Sequence, residues 1–258
     1  MNVVVCVKQV PDTWAEKRLD PTDATLDRSS DSVLNELDEY AVEESLRLVE
    51  AHGGEVTVLT MGPESAVEMI RKALSMGADK AVHLCDPALH GSDAVQTSYA
   101  LAQVLGTLDF DLVVLGSEST DARMSVLAAM LAERLGLPQL SLARKVTVNG
   151  DAVRIERQTD AGYDVVEASL PAVVSVVEKI NEPRYPSFKG IMAAKKKPLT
   201  TLTVADAGID PQRVGLTGAL SRVTDFVARP PRGEGRIIVD DGTGGTQLAE
   251  FLVAQKFL

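Results

Sequence analysis

Val3-Val4-Val5-Cys6-Val7 and Leu112-Val113-Val114-Leu115 are apolar runs of strand length with nothing polar inside them. A strand with one wet face alternates apolar and polar residues. A run without that alternation is covered on both sides, as in a parallel sheet roofed by helices. Between and after these runs the period changes. Val42, Leu46 and Val49 recur at helical spacing until Gly53-Gly54 stops them, and Glu55 to Thr60 reads as the second strand. Gly62-Pro63 opens a helix with Val67, Ile70 and Leu74 on one face, closed by Gly77. Ala81 to Leu84 reads as the third strand, and Ser92 is the expected N-cap of a helix carrying Val95, Tyr99, Ala102 and Leu105. Leu112 to Leu115 is the fourth strand, followed by a helix with Leu127, Leu131 and Leu135 on one side. Strands alternating with helices predict βαβ crossovers, hence an α/β fold whose parallel sheet carries helices on both faces.

After residue 140 the pattern shifts. Lys145 to Val148 and Val153 to Arg157 flank Asn149-Gly150-Asp151, which predicts a hairpin with Asn-Gly at the tight turn. Val165 to Ala168 and Ala172 to Val177 read as further strands. Past Pro198 the sequence loosens. Arg229-Pro230-Pro231-Arg232-Gly233 and Asp241-Gly242-Thr243-Gly244-Gly245 are linker-like, and a helix from Gln247 to Phe257 presents Leu248, Phe251 and Leu252 on one side. The expected organisation is an α/β domain over residues 1–200 and a C-terminal arm over 201–258 that packs on something else.

The 258 residues are 45% hydrophobic and 24% charged, an ordinary globular composition that excludes collagen-like and wholly disordered classes. No apolar run approaches the roughly 20 residues that span a bilayer. Met1-Asn2 leads straight into the first apolar run without a basic segment, so a cytoplasmic location is expected. Cys6 and Cys85 lie in strand-like apolar contexts and read as small buried hydrophobes. The net charge of -11 argues against binding of a nucleic-acid backbone or an anionic membrane. That charge is uneven. From Lys179 to Lys197, six basic residues (Lys179, Arg184, Lys189, Lys195, Lys196, Lys197) face one acid, Glu182, giving +5 and leaving -16 elsewhere.

No catalytic constellation stands out. His52, His83 and His90 are scattered, and Glu43-Glu44 reads as a solvated helix face. There is no Gly-x-Ser-x-Gly, no Walker-type Gly-Lys-Ser/Thr and no Gly-x-Gly-x-x-Gly after the first strand. Gly116-Ser117-Glu118-Ser119-Thr120-Asp121 is different. It follows a buried strand and precedes a helix, where hydroxyls and free N–H groups hold a phosphate, although the same residues also serve as ordinary N-caps. Ligands in such sheets sit beyond the carboxyl ends of the strands. The 181–197 segment combines two prolines, a glycine, Tyr185, Phe188, Ile191 and Met192 with a lysine run, which predicts a projecting loop that docks on an acidic partner. A core-covering loop with a solvated lysine cluster is the alternative.

Val5-Cys6-Val7-Lys8-Gln9-Val10-Pro11-Asp12, Ala41-Val42-Glu43-Glu44, Ile70-Arg71-Lys72-Ala73-Leu74-Ser75-Met76-Gly77-Ala78-Asp79 and Leu170-Pro171-Ala172-Val173 stand in that order. Asn181-Glu182-Pro183-Arg184-Tyr185 follows, continuing to Ile191-Met192-Ala193-Ala194-Lys195-Lys196-Lys197. Through these motifs the chain resembles the β subunit of an electron transfer flavoprotein over nearly its whole length. The resemblance implies a Rossmann-like, adenine-nucleotide-binding domain in a heterodimer with an α subunit. The α subunit would hold the redox-active FAD, with AMP in the β subunit. Electrons would come from acyl-CoA dehydrogenases and leave through an electron transfer flavoprotein-quinone oxidoreductase.

The AMP contacts implied by the resemblance fall on Cys6, on Asn35, Glu36, Leu37 and Asp38, on Met61, and on Gly116, Ser117, Glu118, Ser119, Thr120, Asp121, Ala122, Arg123, Met124, Ser125, Val126 and Leu127. The implied dehydrogenase-docking loop is Arg184, Tyr185, Pro186, Ser187, Phe188 and Lys189, centred on Phe188. Where the family places glycines or small polar residues, this chain has Ala122-Arg123-Met124-Ser125-Val126, which narrows the backbone's approach to a phosphate while offering Arg123 as a partner. Two other readings stay open: a bifurcating-type subunit with FAD in the β nucleotide site, and a stand-alone nucleotide-binding stress-type protein.

Overall fold

The computed structural model describes residues 1–228, 230, 231, 233, 235 and 237–257. The Arg229 to Gly233 linker motif falls partly outside them, at Arg229 and Arg232. Met1–Thr224 is one compact unit and a second begins at Asp225.

Strand β1 (Asn2–Cys6) is followed by a two-stranded antiparallel ribbon, β2 (Gln9–Pro11) and β3 (Ser32–Leu34), and then by α1 (Glu36–His52). Next come β4 (Glu55–Met61), α2 (Val67–Met76), β5 (Lys80–Leu84), α3 (Ala94–Leu105), β6 (Leu112–Gly116) and α4 (Leu127–Leu135). β7 (Gln139–Asn149), β8 (Ala152–Thr159), β9 (Gly162–Ser169) and β10 (Ala172–Val176) follow, then α5 (Phe188–Ala194), β11 (Leu199–Leu202) and α6 (Gly215–Gly218). The second unit contains α7 (Gly244–Ala254), on which Leu248, Phe251 and Val253 are exposed.

One nine-stranded sheet runs in the order β11-β5-β4-β1-β6-β10-β7-β8-β9. From β11 through β7 every pairing is parallel, and β8 and β9 add antiparallel. The parallel α/β sheet expected from the apolar runs is therefore present. Alternation within β1 assigns each residue to a face: Val3 and Val5 pack with α1 and α2, while Val4 and Cys6 pack with α3 and α4. Both faces of the parallel centre are covered by helices, so Val3 to Cys6 and Leu112 to Leu115 are apolar throughout, while Thr57, Thr60, His83 and Ser175 are buried polar exceptions on neighbouring strands.

Several details differ from the sequence reading. Asp93, not Ser92, caps α3, in a capping box with Gln96. The hairpin turn is Gly150-Asp151, because Asn149 pairs with Ala152, and Gly150 alone supplies the positive φ, 57°. Ala172–Val176 joins the centre of the parallel sheet between β6 and β7. Residues 188–194 form a short helix capped by Ser187, whose hydroxyl accepts from the Gly190 N–H at 3.0 Å. Residues 199–202 add an edge strand, and Val204, Ala207, Ile209 and Val214 enter the α3–α4 core, so the body extends beyond residue 200.

Candidate functional site

Order in the sheet locates the site. From β1 the chain moves outward through β4 and β5, then returns to β6 on the other side of β1. This reversal opens a crevice at the carboxyl ends of β1 and β6, where open α/β sheets bind ligands. Lys8, Asn35, Asp38 and the loop after Gly116 converge there.

Their contacts are specific. The Lys8 N–H donates to Asp38 Oδ2 at 2.8 Å, and the Asn35 N–H donates to the Lys8 carbonyl at 2.9 Å, stitching the start of α1 to the end of β1. Asn35 is buried, and its amide is spent on the loop: Nδ2 donates to Glu118 O at 2.9 Å and Oδ1 accepts from the Thr120 N–H at 3.1 Å. Gly116 makes this approach possible. A Cβ there would lie 2.6 Å from Asp38 Oδ1 and 2.8 Å from the Leu37 carbonyl carbon. Lys8 Nζ reaches Asp121 Oδ1 at 2.8 Å and Ser119 Oγ at 3.3 Å, and Arg28 approaches Asp121 Oδ2 at 3.8 Å.

The electrostatics follow from burial. Desolvation pushes Asp38 up to about 7, against the opposing hydrogen bonds from Asn35, the Lys8 amide and the Gly116 amide. Burial also acts to raise Asp121, but Lys8 and its hydrogen bonds outweigh it and hold that carboxyl below its ordinary range. Burial, aided by Asp38, pushes the Cys6 thiol up to about 12, so it is no nucleophile at neutral pH.

The donor set fits a phosphorylated ligand. Val126 at the N-cap of α4 has no side-chain acceptor, so the N–H groups of that first turn stay open to an anion. Lys8 and Arg28 add cations at Asp121, in the loop that leads from β6 to α4. Among the described residues the Thr120 hydroxyl is buried without a hydrogen-bond partner. Arg123 and Ser125 hold positive φ, 49° and 54°, in a loop exposed from Ala122 to Ser125. Ser125 Oγ donates to Glu118 Oε2 at 2.8 Å, and Arg123 stands 3.6 Å from Glu118 Oε1.

Of the expected site residues, the structure brings together Asn35, Asp38, Gly116 and Glu118 through Asp121. Glu36 accepts from Thr13 Oγ1 at 2.9 Å outside that cluster. Met61 and Leu127 pack against the α3–α4 core, as does Cys6 within it. Lys8 and Arg28 are the residues that sequence reasoning missed. A lone cation directly after a buried central strand was the available signal for Lys8; Arg28 arrives by the fold of the 12–31 loop and had none.

The 181–197 segment is fastened at both ends. Asn181 Nδ2 donates to Tyr40 O and Glu44 Oε2, each at 3.0 Å, and Arg184 pairs with Glu43 and Glu50. Glu43 and Glu44 are consequently buried rather than a solvated face. Burial acts to raise Glu43, yet the bonds from Arg184 outweigh it and hold the carboxyl low. At the other end, Lys197 Nζ donates to the carbonyls of Leu74, Gly77 and Ala78 at 3.0, 3.1 and 2.6 Å, closing the C-terminus of α2. Arg71 Nη1 donates to Ala194 O and Lys197 O at 2.6 and 2.9 Å. Between these points Tyr185 is 95% exposed and Phe188 81%. Lys189, Lys195 and Lys196 are exposed, so part of the basic cluster is free and part is structural.

Fold and site together define a doubly wound α/β protein with a polar, phosphate-compatible cluster at its switch point. Residues 23–207 match the family described as electron transfer flavoprotein domain. Electron transfer flavoprotein subunit beta of Mycobacterium tuberculosis is 54% identical over 264 residues, covering 100% of this chain and 99% of the relative. Its counterpart in Megasphaera elsdenii is 36% identical over 271 residues, covering 100% of both chains. Caffeyl-CoA reductase-Etf complex subunit CarD of Acetobacterium woodii is 36% identical, covering 99% of this chain and 97% of the relative. The chain belongs to the electron transfer flavoprotein family, on its β-subunit side. Membership implies flavin-linked electron transport with an α subunit as partner. Among the described residues no helix is long and apolar enough to cross a membrane, and no group of three or more His, Cys, Asp or Glu is placed to hold a metal ion.

Proposed function

We propose that this chain and an FAD-bearing α subunit form a cytoplasmic heterodimer that accepts electrons from dehydrogenases such as acyl-CoA dehydrogenases. The heterodimer passes them to the respiratory chain through an electron transfer flavoprotein-quinone oxidoreductase. FAD supplies the electron-carrying chemistry when bound. This chain supplies no catalytic residue. It contributes an AMP site at the switch point, where Lys8, Arg28 and the open turn of α4 face the phosphate, and the 184–189 docking loop. The C-terminal arm offers Leu248, Phe251 and Val253 to the α subunit.

The observation that carries the reading is the outward presentation of Tyr185 and Phe188 on a segment whose flanks are tied down. An apolar anchor beside exposed lysines suits an acidic dehydrogenase surface. In the purified heterodimer, Phe188→Ala is expected to slow flavin reduction by an acyl-CoA dehydrogenase and its substrate while flavin content stays normal. Added salt is expected to weaken the same transfer, with exposed charges screened beyond about 8 Å at physiological ionic strength. Unchanged transfer in both experiments would refute the docking role. Denaturing the heterodimer should release one FAD and one AMP. A second FAD in place of AMP would move the chain to the bifurcating type.

A further inference from the structure

Arg184 belongs to the loop expected to meet the electron donor, yet its side chain points away from that role. Its Nε donates to Glu43 Oε2 at 2.8 Å and its Nη2 to Glu43 Oε1 at 3.1 Å. Nη1 and Nη2 also reach Glu50 Oε1 and Oε2 at 2.6 and 3.1 Å. The backbone N–H of Arg184 adds a bond to Glu43 Oε2 at 3.2 Å. The guanidinium thus spends all three nitrogens on two carboxylates seven positions apart, two turns along one face of α1.

We propose that Arg184 is a positioning residue: its fork on Glu43 and Glu50 sets the attitude in which Tyr185 and Phe188 meet the donor enzyme, and it makes no contact with that enzyme. The inference rests on the docking role of the loop. Three features make the fork the controlling element. The clamp holds main chain as well as side chain, one residue before Tyr185. Pro183 and Pro186 fix φ on both sides, so the orientation set at Arg184 carries forward. The far end of the segment is independently tied to α2 through Arg71 and Lys197, and Gly190 of α5 lies close against the Ser75 carbonyl of α2, leaving Tyr185 to Lys189 spanning between the two anchors. A lysine in place of Arg184 has one ammonium and cannot make the two-carboxylate fork.

The test separates positioning from contact because the acids of α1 lie behind the loop. In the heterodimer, steady-state electron transfer is measured against heterodimer concentration for Arg184→Gln, Arg184→Lys, Glu50→Gln, the pair Glu43→Gln with Glu50→Gln, and Phe188→Ala. Positioning predicts that Arg184→Gln and the paired acid variant each raise KM on the order of 3- to 10-fold, about 0.7–1.4 kcal/mol of apparent affinity. Their kcat and flavin content should hold, with Arg184→Lys recovering only part of the loss. Trypsin should cut after Lys189 faster in the same variants.

If the acid variants leave KM unchanged or lower it while Arg184→Gln raises it, Arg184 is a direct partner contact and the inference is overturned. A silent Arg184→Gln beside an impaired Phe188→Ala overturns the positioning role alone. Silence of both overturns the docking reading itself. Should Arg184→Gln or the paired variant fail to assemble, Glu50→Gln removes only an exposed carboxylate and must still raise KM; no change there overturns the inference.

Discussion

Asp38→Asn tests whether the crevice between β1 and β6 is built around a desolvated carboxyl. That group is pushed from an ordinary 3.8 to about 7, chiefly by burial. Each pKa step of one is worth about 1.4 kcal/mol, so keeping the charge buried costs on the order of 4 kcal/mol once the pH exceeds 7. The sign follows from proton uptake. Between about pH 4 and pH 7 the folded carboxyl is protonated where the unfolded one is ionised, so stability falls as pH rises through that window and levels off above it. An asparagine does not titrate. It keeps one acceptor for the Lys8 N–H but turns its own N–H₂ toward the second donor, a loss of about 1–3 kcal/mol. The variant should therefore be about 1–3 kcal/mol less stable than wild type at pH 4 and more stable by a similar amount at pH 8, a relative swing of about 4 kcal/mol. Urea unfolding followed by far-UV circular dichroism is the assay, since Trp14, the one tryptophan, is already 96% exposed and reports poorly on the core. Wild-type and variant stability curves that run parallel from pH 4 to pH 8 would refute the reasoning.

Two further outcomes depend on single positions. Gly116→Ala drives a Cβ to within 2.6 Å of Asp38 Oδ1 and 2.8 Å of backbone at Leu37, so the start of α1 must shift, at a cost of about 1–3 kcal/mol. Its signature is loss of nucleotide from the purified heterodimer, and retention of a full complement would contradict the close approach. Lys197→Met keeps the aliphatic stem but removes three bonds, to the Leu74 carbonyl in the last turn of α2 and to the Gly77 and Ala78 carbonyls just past its end. Urea midpoints should fall by the equivalent of about 2 kcal/mol, whereas a difference below about 0.5 kcal/mol would mean that water replaces the ammonium freely.

The parallel core was legible because burial on both faces leaves a mark in the chain itself: Val3 to Val7 and Leu112 to Leu115 have no polar position to spare. Contacts set by distant segments left no such mark. Glu43-Glu44 reads as a wet helix face because nothing near it in sequence announces that Asn181 and Arg184 will cover it. β11 is short, and its Thr200 and Thr201 are exposed, so the run after Pro198 looks like loop until it pairs with β5. Helix α5 was obscured by Pro186 and Gly190, although Ser187 is an ordinary N-cap. At the crevice, the Ser119-Thr120-Asp121 turn carried a local signal, whereas Asn35 is reached only through the family resemblance. Arg28 carried none, since it reaches Asp121 from a loop whose path the tertiary fold decides.

Among the described residues the nine-stranded sheet ends on β11 at one side and β9 at the other, and an edge strand is a template for another copy of the same chain. At one end β11 offers only Leu199–Leu202. At the other, β9 is longer and turns Tyr163 and Val165 to solvent, but it also carries Asp164 and Glu167. Two copies zipped edge to edge along β9 would press these carboxylates together in a chain whose net charge is already -11. Growth of the sheet into a fibre is thus opposed at the strand where it would most easily begin.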